Sequence, residues 1–280
     1  MYERFKKRSP ETIYYLPLAT EPVSDFDSWI THEERRKYSH DVTFVGSMYN
    51  EQKRQFHDID KLSDYLRGYV EGLARAQLDV YGYNFIADSL NDELVSRIRR
   101  ELDYEAIDDY LVDDREIIAD QYIGAYVSSL DRERTLNAIA DVHRLSIYTD
   151  SDVSRLHNID NCGVADSDRM TPKIFHSSNI NINITSKTIQ SGIPLRILDI
   201  MGVRGFVITN YQPEICEYFT PGKDLAVYED INDLQEKILY YLEHDDEREQ
   251  IASNGYEIVR ENFSYDHLLT IIMDTSLKEV

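Results

Sequence analysis

The chain has few cysteines, a single tryptophan and no long apolar run. Its only two cysteines among 280 residues are Cys162 and Cys216. Neither lies in a CxxC motif or a Cys/His cluster, which favours two reduced thiols over a disulfide framework or a zinc site. No apolar stretch approaches the length of a membrane span, and the first residues, MYERFKKRSP, lack the apolar core of a signal peptide. The sequence therefore predicts a cytoplasmic protein.

Positive charge is also scarce. The chain has 30 Lys and Arg residues against 52 Asp and Glu residues, a net charge of −22. Such a surface repels nucleic acid and anionic membranes over most of its area, whereas a nucleotide needs only a local positive pocket. The eight histidines form no HxxxH or HExxH motif, so no metal site is predicted.

Residues 191–230 carry the most informative pattern. The segment SGIPLRILDIMGVRGFVITNYQPEICEYFTPGKDLAVYED predicts a turn, a short helix, a buried strand at 206–209, a polar loop at 210–214, a second short helix and another strand. Its polar residues gather where strands end and helices begin, and open parallel sheets bind ligands there. The arrangement predicts a site that holds a sugar nucleotide.

Short strands and helices alternate along most of the chain. VTFVG at 42–46 is typical of a buried strand that enters a glycine turn, and RLSIY, NININIT, FVIT and LAVY follow with helices between them. From about residue 59 to residue 142 the apolar spacing is helical. The pattern predicts an α/β fold: a Rossmann-like, doubly wound parallel sheet in residues 41–280, with a helical insertion after the first strand.

Several motifs occur in an order that resembles a known family. They are FVGSMYN, TPKIFHSSNININIT, GIPLRILDIMG, TNYQPEICEYF, PGKDLAVYED and KILYYLEHDDEREQIASNG. From about residue 13 to residue 268 the chain resembles the C-terminal, donor-binding half of the bacterial-type CgeB-like (spore-maturation) glycosyltransferases of GT-B architecture. The resemblance implies transfer of a sugar from a nucleoside-diphosphate sugar to an unknown acceptor (a glycan, a protein or a small molecule), with no metal ion and no other cofactor.

The chain departs from that family pattern at its start, because nearly all of the N-terminal Rossmann domain is missing. Residues 1–40 are interpreted as the end of that domain and the linker. Two interpretations stay open: a truncated donor-binding half, or a chain that works with a separate N-terminal domain. A non-catalytic sugar-nucleotide-binding or interaction module is the alternative function. A dehydrogenase-like Rossmann protein is disfavoured, because no GxGxxG motif follows a strand.

Arg196 and Asp199 are the best-supported contacts to the donor. They lie three residues apart, so a helix places them on one face. The resemblance implies that Arg196 approaches the diphosphate or sugar and that Asp199 accepts hydrogen bonds from ribose hydroxyls. An arginine stabilises a departing diphosphate through charge-assisted hydrogen bonds. An ordinary intrahelical ion pair is the alternative.

Other candidates lie near the ends of the first strands. Gly46 and Ser47 follow the first strand, where glycine permits close approach to phosphate, although a plain turn fits equally. Lys53 and Arg54 either add positive charge there or are solvated surface cations. Thr185 ends the NININIT strand.

Two further interpretations concern the NININIT segment (residues 179–185) and a histidine shortly before it. The asparagines at 179, 181 and 183 point away from the isoleucines, and they either line the donor cleft or hydrogen-bond neighbouring loops. His176 either hydrogen-bonds a phosphate or the base, or is structural.

The TNYQPE loop is the other strong candidate. Asn210, Tyr211 and Gln212 offer donors and acceptors beyond a strand end, and Pro213 fits the first turn of the next helix. Glu214 either contacts the transferred sugar, as the resemblance allows, or stabilises the helix dipole.

Two acidic motifs are set aside. Asp150 and Asp152 match the metal-binding DxD pattern, but a capped turn after a strand is the preferred interpretation. The run of Asp108, Asp109, Asp113 and Asp114 lacks the loop spacing and glycine of a calcium hand.

Overall fold

A computed structural model of the protein describes residues 14–51, 55–102, 113–166 and 168–278. Within these ranges the chain forms two compact units. The first contains residues 14–15, 48–134 and 186–191, and the second contains residues 16–47, 135–185 and 192–278.

The second unit is built on a parallel sheet. Its strands within the described residues are β1 (Val42–Val45), β2 (Leu145–Tyr148), β3 (Ile159–Asn161), β4 (Ile180–Asn183), β5 (Val207–Asn210) and β6 (Ala226–Tyr228). They lie in the order β3-β2-β1-β4-β5-β6, and every pair is parallel. The predicted doubly wound α/β sheet is confirmed. The chain order reverses between β1 and β4, which is where such sheets bind ligands, beyond the carboxyl ends of the strands.

Helices occupy the segments between and after the strands. In chain order the described part of the chain contains α1 (Phe26–Trp29), α2 (His32–Lys37), α3 (Asp64–Leu78), α4 (Ile86–Ser89), α5 (Asp92–Leu102), α6 (Asp114–Ile117), α7 (Gly124–Val142), α8 (Thr171–Ser177), α9 (Leu195–Gly202), α10 (Ile215–Tyr218), α11 (Ile231–Glu243), α12 (Asp245–Asn262) and α13 (Tyr265–Lys278). A 3₁₀ helix (Gln55–Lys61) precedes α3, and a π-helical segment (Ile118–Ile123) precedes α7. None of the helices in the described ranges has the length and apolarity needed to cross a membrane.

The strands are buried on both faces, as their apolar sequences require. Every residue of β1, β2, β4, β5 and β6 is buried. Strand β3 was not predicted, because its sequence Ile-Asp-Asn is short and polar and its residues are only partly covered. It is an edge strand, where polar residues are tolerated because one side has no neighbouring strand.

The asparagines of β4 hydrogen-bond their surroundings. Asn181 Nδ2 donates to the carbonyls of Phe175 (2.9 Å) and Phe206 (3.1 Å). Asn183 Nδ2 donates to the hydroxyls of Thr185 (2.8 Å) and Thr209 (2.9 Å). These bonds offset the cost of burying two amides in a fully covered strand. For these two residues the structure confirms bonding to neighbouring segments over lining of a cleft.

The first unit is helical, which confirms the predicted insertion after the first strand. Apolar residues at three- and four-residue spacing face inward from α3 and α5, with Leu66, Val70 and Ile98 at most 1% exposed. A 3₁₀ helix at Gln55–Lys61 precedes α3, and the predicted bounds of the insertion, about residues 59–142, stay a prediction. Burial of such a stripe is what stabilises short helices that would be marginal alone.

Two short helices, α1 and α2, were not predicted in the polar segment before residue 40. Thr31 and Glu34 form a capping box at the start of α2, in which each side chain bonds the other residue's backbone. That Thr-x-x-Glu signal was available in the sequence. The described residues from 16 onward pack with the second unit: Thr20 N–H donates to Phe263 O (2.9 Å) and Val23 N–H donates to Gly202 O (3.0 Å). The domain boundary at residues 40 and 41 stays a prediction.

Candidate functional site

Arg196 lies at the carboxyl edge of the sheet, next to the switch point. It is the second residue of α9, and its Nη1 donates a hydrogen bond to the carbonyl of Val45, the last residue of β1. Gly46 follows Val45, and its N–H donates a hydrogen bond to the Tyr148 carbonyl (3.0 Å). The half-buried guanidinium is therefore next to the residue that precedes Gly46, and the predicted roles of Gly46, Ser47 and Arg196 in donor binding stay predictions. A guanidinium has five donors and keeps its charge at any physiological pH, which suits a diphosphate.

The start of α9 adds backbone donors to the same edge. Pro194 occupies the N-cap position, and its φ of −58° directs the chain into the helix. The first N–H groups of a helix lack intrahelical acceptors and carry partial positive charge. The sheet edge, Arg196 and the first turn of α9 thus converge on one region, and an anion there meets donors from both a side chain and the backbone.

Glu214 holds the loop that leads into α9. Its Oε2 accepts a hydrogen bond from the backbone N–H of Gly192. Gly192 has a φ of +90°, a conformation that glycine adopts without a steric penalty. The carboxylate thereby fixes the loop four residues before Arg196. The predicted contact between Glu214 and a transferred sugar stays a prediction.

Thr185 and Asn210 form a clamp between the ends of β4 and β5. Asn210 Oδ1 accepts from the Thr185 N–H (2.7 Å), and Asn210 Nδ2 donates to the Thr185 carbonyl (3.3 Å). Both residues are 3% exposed. At the point where β4 and β5 separate, the side chain of Asn210 makes the hydrogen bonds to Thr185 that a neighbouring backbone would make within the sheet. The structure therefore brings these two predicted residues together and gives them a structural partnership.

Tyr211 and Gln212 continue from the end of β5. The Tyr211 N–H donates to the Tyr228 carbonyl (2.9 Å), and Gln212 is 7% exposed. Tyr211 also contributes to a groove of about 570 Å³ beside β6. That groove is lined by Tyr211, Cys216, Pro221, Gly222, Ala226, Val227, Glu229, Asp230, Asp233, Lys237 and Tyr241. Its three carboxylates suit hydroxyl donors and disfavour a diphosphate.

Asp199 shares the helix of Arg196 but contacts a different segment. Its Oδ1 accepts a hydrogen bond from the Thr20 hydroxyl (2.7 Å). Burial raises the pKa of Asp199, while the bond from Thr20 and the charge of Arg196 oppose that rise. The side chain is half-buried. Its predicted contact with ribose hydroxyls stays a prediction, and in this structure the carboxylate holds the segment before α1.

His176 lies at the other edge of the sheet. It is in the last turn of α8, immediately before β4, so it belongs to the amino ends of the strands. Its Nδ1 donates to the Val203 carbonyl (2.7 Å), and its ring stacks on Phe26 with centroids 4.8 Å apart. Burial lowers its pKa. In a parallel sheet the residues before and after a strand lie at opposite edges, so His176 and Arg196 are at different edges, and the predicted contact of His176 with a phosphate or a base stays a prediction.

Within the first unit, sequence reasoning missed a buried ion pair. Lys187 Nζ lies 4.0 Å from Asp131 Oδ1, donates to the Leu78 carbonyl (2.8 Å) and stands 3.5 Å from the centre of the Tyr81 ring. Both charged side chains are at most 4% exposed. Burial lowers the pKa of Lys187 and raises that of Asp131. No local pattern signals this pair, because its members are 56 residues apart in the sequence.

The remaining sequence interpretations concern acidic motifs and surface cations. Asp152 accepts bonds from the Ser154 N–H (2.9 Å) and hydroxyl (3.0 Å), which confirms a turn. Asp113 caps α6. Lys53 and Arg54 lie outside the described residues, as do Asp108 and Asp109. Over the part of the chain that is described, no group of three or more His, Cys, Asp or Glu side chains could hold a metal ion.

Comparison with known proteins gives similarities of low sequence identity. An uncharacterized protein of Aquifex aeolicus (strain VF5) is 25% identical over 95 residues, which cover 33% of this chain and 24% of that protein. Sucrose-phosphate synthase from Thermosynechococcus elongatus matches in structure with a TM-score of 0.51 and 11% identity, covering 99% of this chain and 55% of that one. The Anabaena protein HepE, solved in complex with UDP and glucose, has a TM-score of 0.45 at 13% identity, over 84% of this chain and 71% of that one.

These comparisons settle fold and family. The chain spans about a quarter of the Aquifex protein and about half of the synthase. The likeness to the synthase shows the α/β fold of the GT-B glycosyltransferases. The family model described as "Glycosyl transferase-like" matches residues 132–274, slightly more than half of the chain. That range contains β2 to β6 and every helix from α8 to α12, including Arg196 at the switch point, and the chain therefore belongs to the glycosyl transferase-like family.

Proposed function

We propose that this chain binds a nucleoside-diphosphate sugar at the carboxyl edge of its sheet and serves in transfer of the sugar to an acceptor. The observation that carries the proposal is the position of Arg196, whose guanidinium is bonded to the carbonyl at the end of β1, beside the switch point. A doubly wound sheet binds ligands at that point. Membership of the glycosyl transferase-like family supports the choice of a sugar nucleotide as ligand.

In the proposed complex Arg196 and the N–H groups of the first turn of α9 bind the diphosphate. As the bond between sugar and diphosphate breaks, negative charge grows on the leaving group. Donors that are already in position stabilise that charge more in the transition state than in the ground state. Gly46 and Ser47 form the floor of the phosphate site. Asp199 binds ribose hydroxyls after releasing Thr20, or through the oxygen that does not bond Thr20.

The loop after β5 supplies the sugar side of the proposed site. Tyr211 and Gln212 follow the clamp of Thr185 and Asn210, so their backbone is fixed relative to β4 and β5. Glu214 acts through Gly192, because its carboxylate holds the turn before α9. It is a positioning residue in this proposal. Direct contact with the transferred sugar remains the proposal of the sequence resemblance.

Further features of the proposal follow from that resemblance. Within its family the chain is proposed to be of the CgeB-like type, to work in the cytoplasm and to need neither a metal ion nor another cofactor. Arg196 and the α9 N–H groups take the place that a divalent cation fills where a metal neutralises the diphosphate. Donor turnover is then expected to be unchanged by excess EDTA. Loss of turnover that added Mg²⁺ restores would contradict a metal-independent reaction.

A non-catalytic sugar-nucleotide-binding module is the second candidate. The observation that favours it is that the two candidate carboxylates, Glu214 and Asp199, already accept hydrogen bonds from Gly192 and Thr20. Neither is placed as a general base. Under this reading the chain binds the donor with the same residues but does not turn it over, with or without a separate polypeptide that supplies an acceptor site.

Calorimetric titration tests the binding site. UDP, GDP, ADP, CMP and the corresponding nucleotide sugars are titrated into the wild type, Arg196→Ala and a control, Arg100→Ala. Arg100 is an exposed residue of α5 in the first unit, so its replacement makes the same charge change elsewhere. We expect one nucleotide class to bind the wild type and Arg100→Ala alike. Loss of a charge-assisted bond, about 1.5–3 kcal/mol, weakens binding to Arg196→Ala by roughly 10- to 100-fold.

Two outcomes would contradict the assignment of the site. One is that no nucleotide or nucleotide sugar binds the wild type. The other is that Arg196→Ala binds as tightly as Arg100→Ala while both variants unfold at the wild-type temperature. Turnover of the bound nucleotide sugar by the chain, followed as release of the nucleoside diphosphate, separates the enzyme from the binding module.

A further inference from the structure

A second groove opens at the amino edge of the sheet, away from the strand ends that carry Arg196. Its volume is about 320 Å³. The residues that form it precede β4 and β5 or lie on α12, and they are His176, Ser177, Ser178, Asn179, Arg204, Phe206, Arg248, Glu249, Ala252 and Ser253. Most are polar, and only Phe206 and Ala252 contribute apolar side chains. The groove thus offers hydroxyl and guanidinium donors to a small polar ligand.

Arg204 occupies a backbone position that normally favours glycine. It follows α9 with a φ of +55°, in the left-handed region. The Arg204 N–H donates to the Met201 carbonyl (3.0 Å) and the Gly205 N–H donates to the Ile200 carbonyl (2.8 Å), a Schellman ending. The residue at this position is usually glycine, because other residues meet a steric penalty there. An unfavourable backbone conformation at a groove points to a use for the side chain.

The Arg204 guanidinium is held by aromatic rings. Its central carbon lies 5.0 Å from the centre of the Phe26 ring and 4.6 Å from that of Tyr256. Over the described ranges, no carboxylate or carbonyl accepts a hydrogen bond from this guanidinium. Tyr256 is itself fixed, since its hydroxyl donates to the Val23 carbonyl (2.8 Å). Ring contacts position a guanidinium without using its N–H groups, so these donors are available to a ligand.

Two guanidinium groups, those of Arg204 and Arg248, lie at this groove in an otherwise acidic protein. Arg248 adds a second guanidinium with a side chain only 7% exposed, bonded to the Tyr241 carbonyl (2.6 Å) and to Asp245 (2.8 Å). Burial is the main cause of the lowered pKa of His176, and the charges of Arg35 and Arg204 lower it further. Glu249 is the one carboxylate in the lining. Arg248 is paired with Asp245, whereas no described carboxylate pairs with Arg204, so Arg204 is the group in this groove that attracts an anion.

We propose that this amino-edge groove binds the phosphate group of a small phosphorylated molecule, with Arg204 as its principal contact. The planar fork of a guanidinium matches two oxygens of a phosphate, and the serine hydroxyls of the groove can serve the others. A phosphate, with more acceptor oxygens than a carboxylate, makes fuller use of this donor set. The volume admits a ligand of the size of a sugar phosphate.

The test uses inorganic phosphate and glucose 6-phosphate as probes, with glucose as the uncharged control, titrated calorimetrically at fixed ionic strength. All titrations are made in the Arg196→Ala background, so that binding at the carboxyl edge does not contribute. The decisive variant is Arg204→Gly, because glycine relieves the backbone conformation and the fold is kept. Arg100→Ala is the charge-matched control.

We expect both phosphate probes to bind, glucose not to bind, Arg204→Gly to weaken phosphate binding at least tenfold and Arg100→Ala to leave it unchanged. Absence of binding by both phosphate probes would overturn the proposal. Equal phosphate affinities of the Arg204→Gly variant and its Arg196→Ala parent would also overturn the proposal. Because the Arg196→Ala background is used throughout, failure of the phosphate titrations says nothing against the proposed donor site. Failure of the nucleotide titrations likewise says nothing against the amino-edge groove.

Discussion

The two edges of the sheet hold their polar side chains by different means. At the carboxyl edge, Asn210 bonds both backbone groups of Thr185, and Glu214 bonds the N–H of Gly192. At the amino edge, Arg204 is held by the rings of Phe26 and Tyr256. Hydrogen bonds fix the loops themselves, whereas ring contacts fix a charged group and leave its donors for something else. At the carboxyl edge these hydrogen bonds define the backbone geometry, and at the amino edge the ring contacts position the guanidinium of Arg204.

The largest effect on stability is expected from breaking the carboxyl-edge clamp of Thr185 and Asn210. Replacing Asn210 with leucine leaves the buried N–H and carbonyl of Thr185 without their partners. We expect the free energy of unfolding to fall by about 2–4 kcal/mol, because each unsatisfied buried group costs about 1–3 kcal/mol and the leucine does not match the amide's shape. Urea unfolding followed by circular dichroism measures the change.

A matched control is Asn179→Ala. The Asn179 side chain donates to Asp41 (3.1 Å) in an exposed setting, where water replaces the lost bond. This variant should unfold within about 0.5 kcal/mol of the wild type. If Asn210→Leu is as stable as Asn179→Ala, the clamp contributes nothing to the difference between the edges.

The clamp also shows what the sequence allowed one to predict. The run NININIT placed β4, and its alternation separated asparagines from isoleucines. It did not reveal whether the asparagines face a ligand or the protein. That choice depends on which carbonyls lie within reach, Phe175 and Phe206 for Asn181, and these come from segments up to 25 residues away in the sequence. Local pattern fixes the strand, and tertiary contacts fix the use of its polar atoms.

In the candidate site, too, some features follow from local sequence patterns and others depend on tertiary contacts. Arg196 was a candidate because of its spacing to Asp199 and its motif; the structure places it at the carboxyl edge, and its contact with a donor stays a prediction. His176 was a further candidate, and it lies at the opposite edge from Arg196, because residues before and after β4 lie at opposite edges. Helices α1 and α2 were missed because prolines and charges suggested a connecting segment, although the capping box of Thr31 and Glu34 was present. The pair of Lys187 and Asp131 had no local signal.

A smaller effect is expected from crowding the amino edge. A Cβ added at Gly205 would lie 2.7 Å from the Phe175 carbonyl oxygen and 2.9 Å from the Ile200 carbonyl oxygen. Both are backbone atoms, so the turn that presents Arg204 must shift. We expect Gly205→Ala to lower the free energy of unfolding by about 1–3 kcal/mol and to weaken phosphate binding in the calorimetric titration.

Gly72→Ala serves as the opposite control for this change. Gly72 lies in α3, where an added Cβ meets nothing within 4 Å. Alanine is the better helix former, so this variant should gain up to about 1 kcal/mol in urea unfolding. If Gly205→Ala gains stability as Gly72→Ala does, or keeps the wild-type affinity for phosphate, the amino edge is less rigid than its ring contacts suggest.

The smallest expected effect concerns Glu34, which joins α2 to α8 near the amino edge. Its carboxylate accepts a hydrogen bond from Lys173 and bonds the N–H of Thr31 (3.0 Å). The bond from Lys173, followed by those from Thr31, lowers the pKa of Glu34 from 4.5 to about 2. Because the folded state binds this proton more weakly than the unfolded chain, the contribution is complete above about pH 4.5 and is lost as the pH falls toward 2.

Glu34→Gln removes this carboxyl group and keeps its size. We therefore expect the variant to unfold at a lower temperature than the wild type above pH 5, and the difference between the two to shrink steadily between pH 4.5 and pH 2. Thermal unfolding across that range measures it, with Glu33→Gln as control, since Glu33 is an exposed neighbour in the same first turn. A constant difference across the range would mean that the charge of Glu34 does not hold α2 on α8.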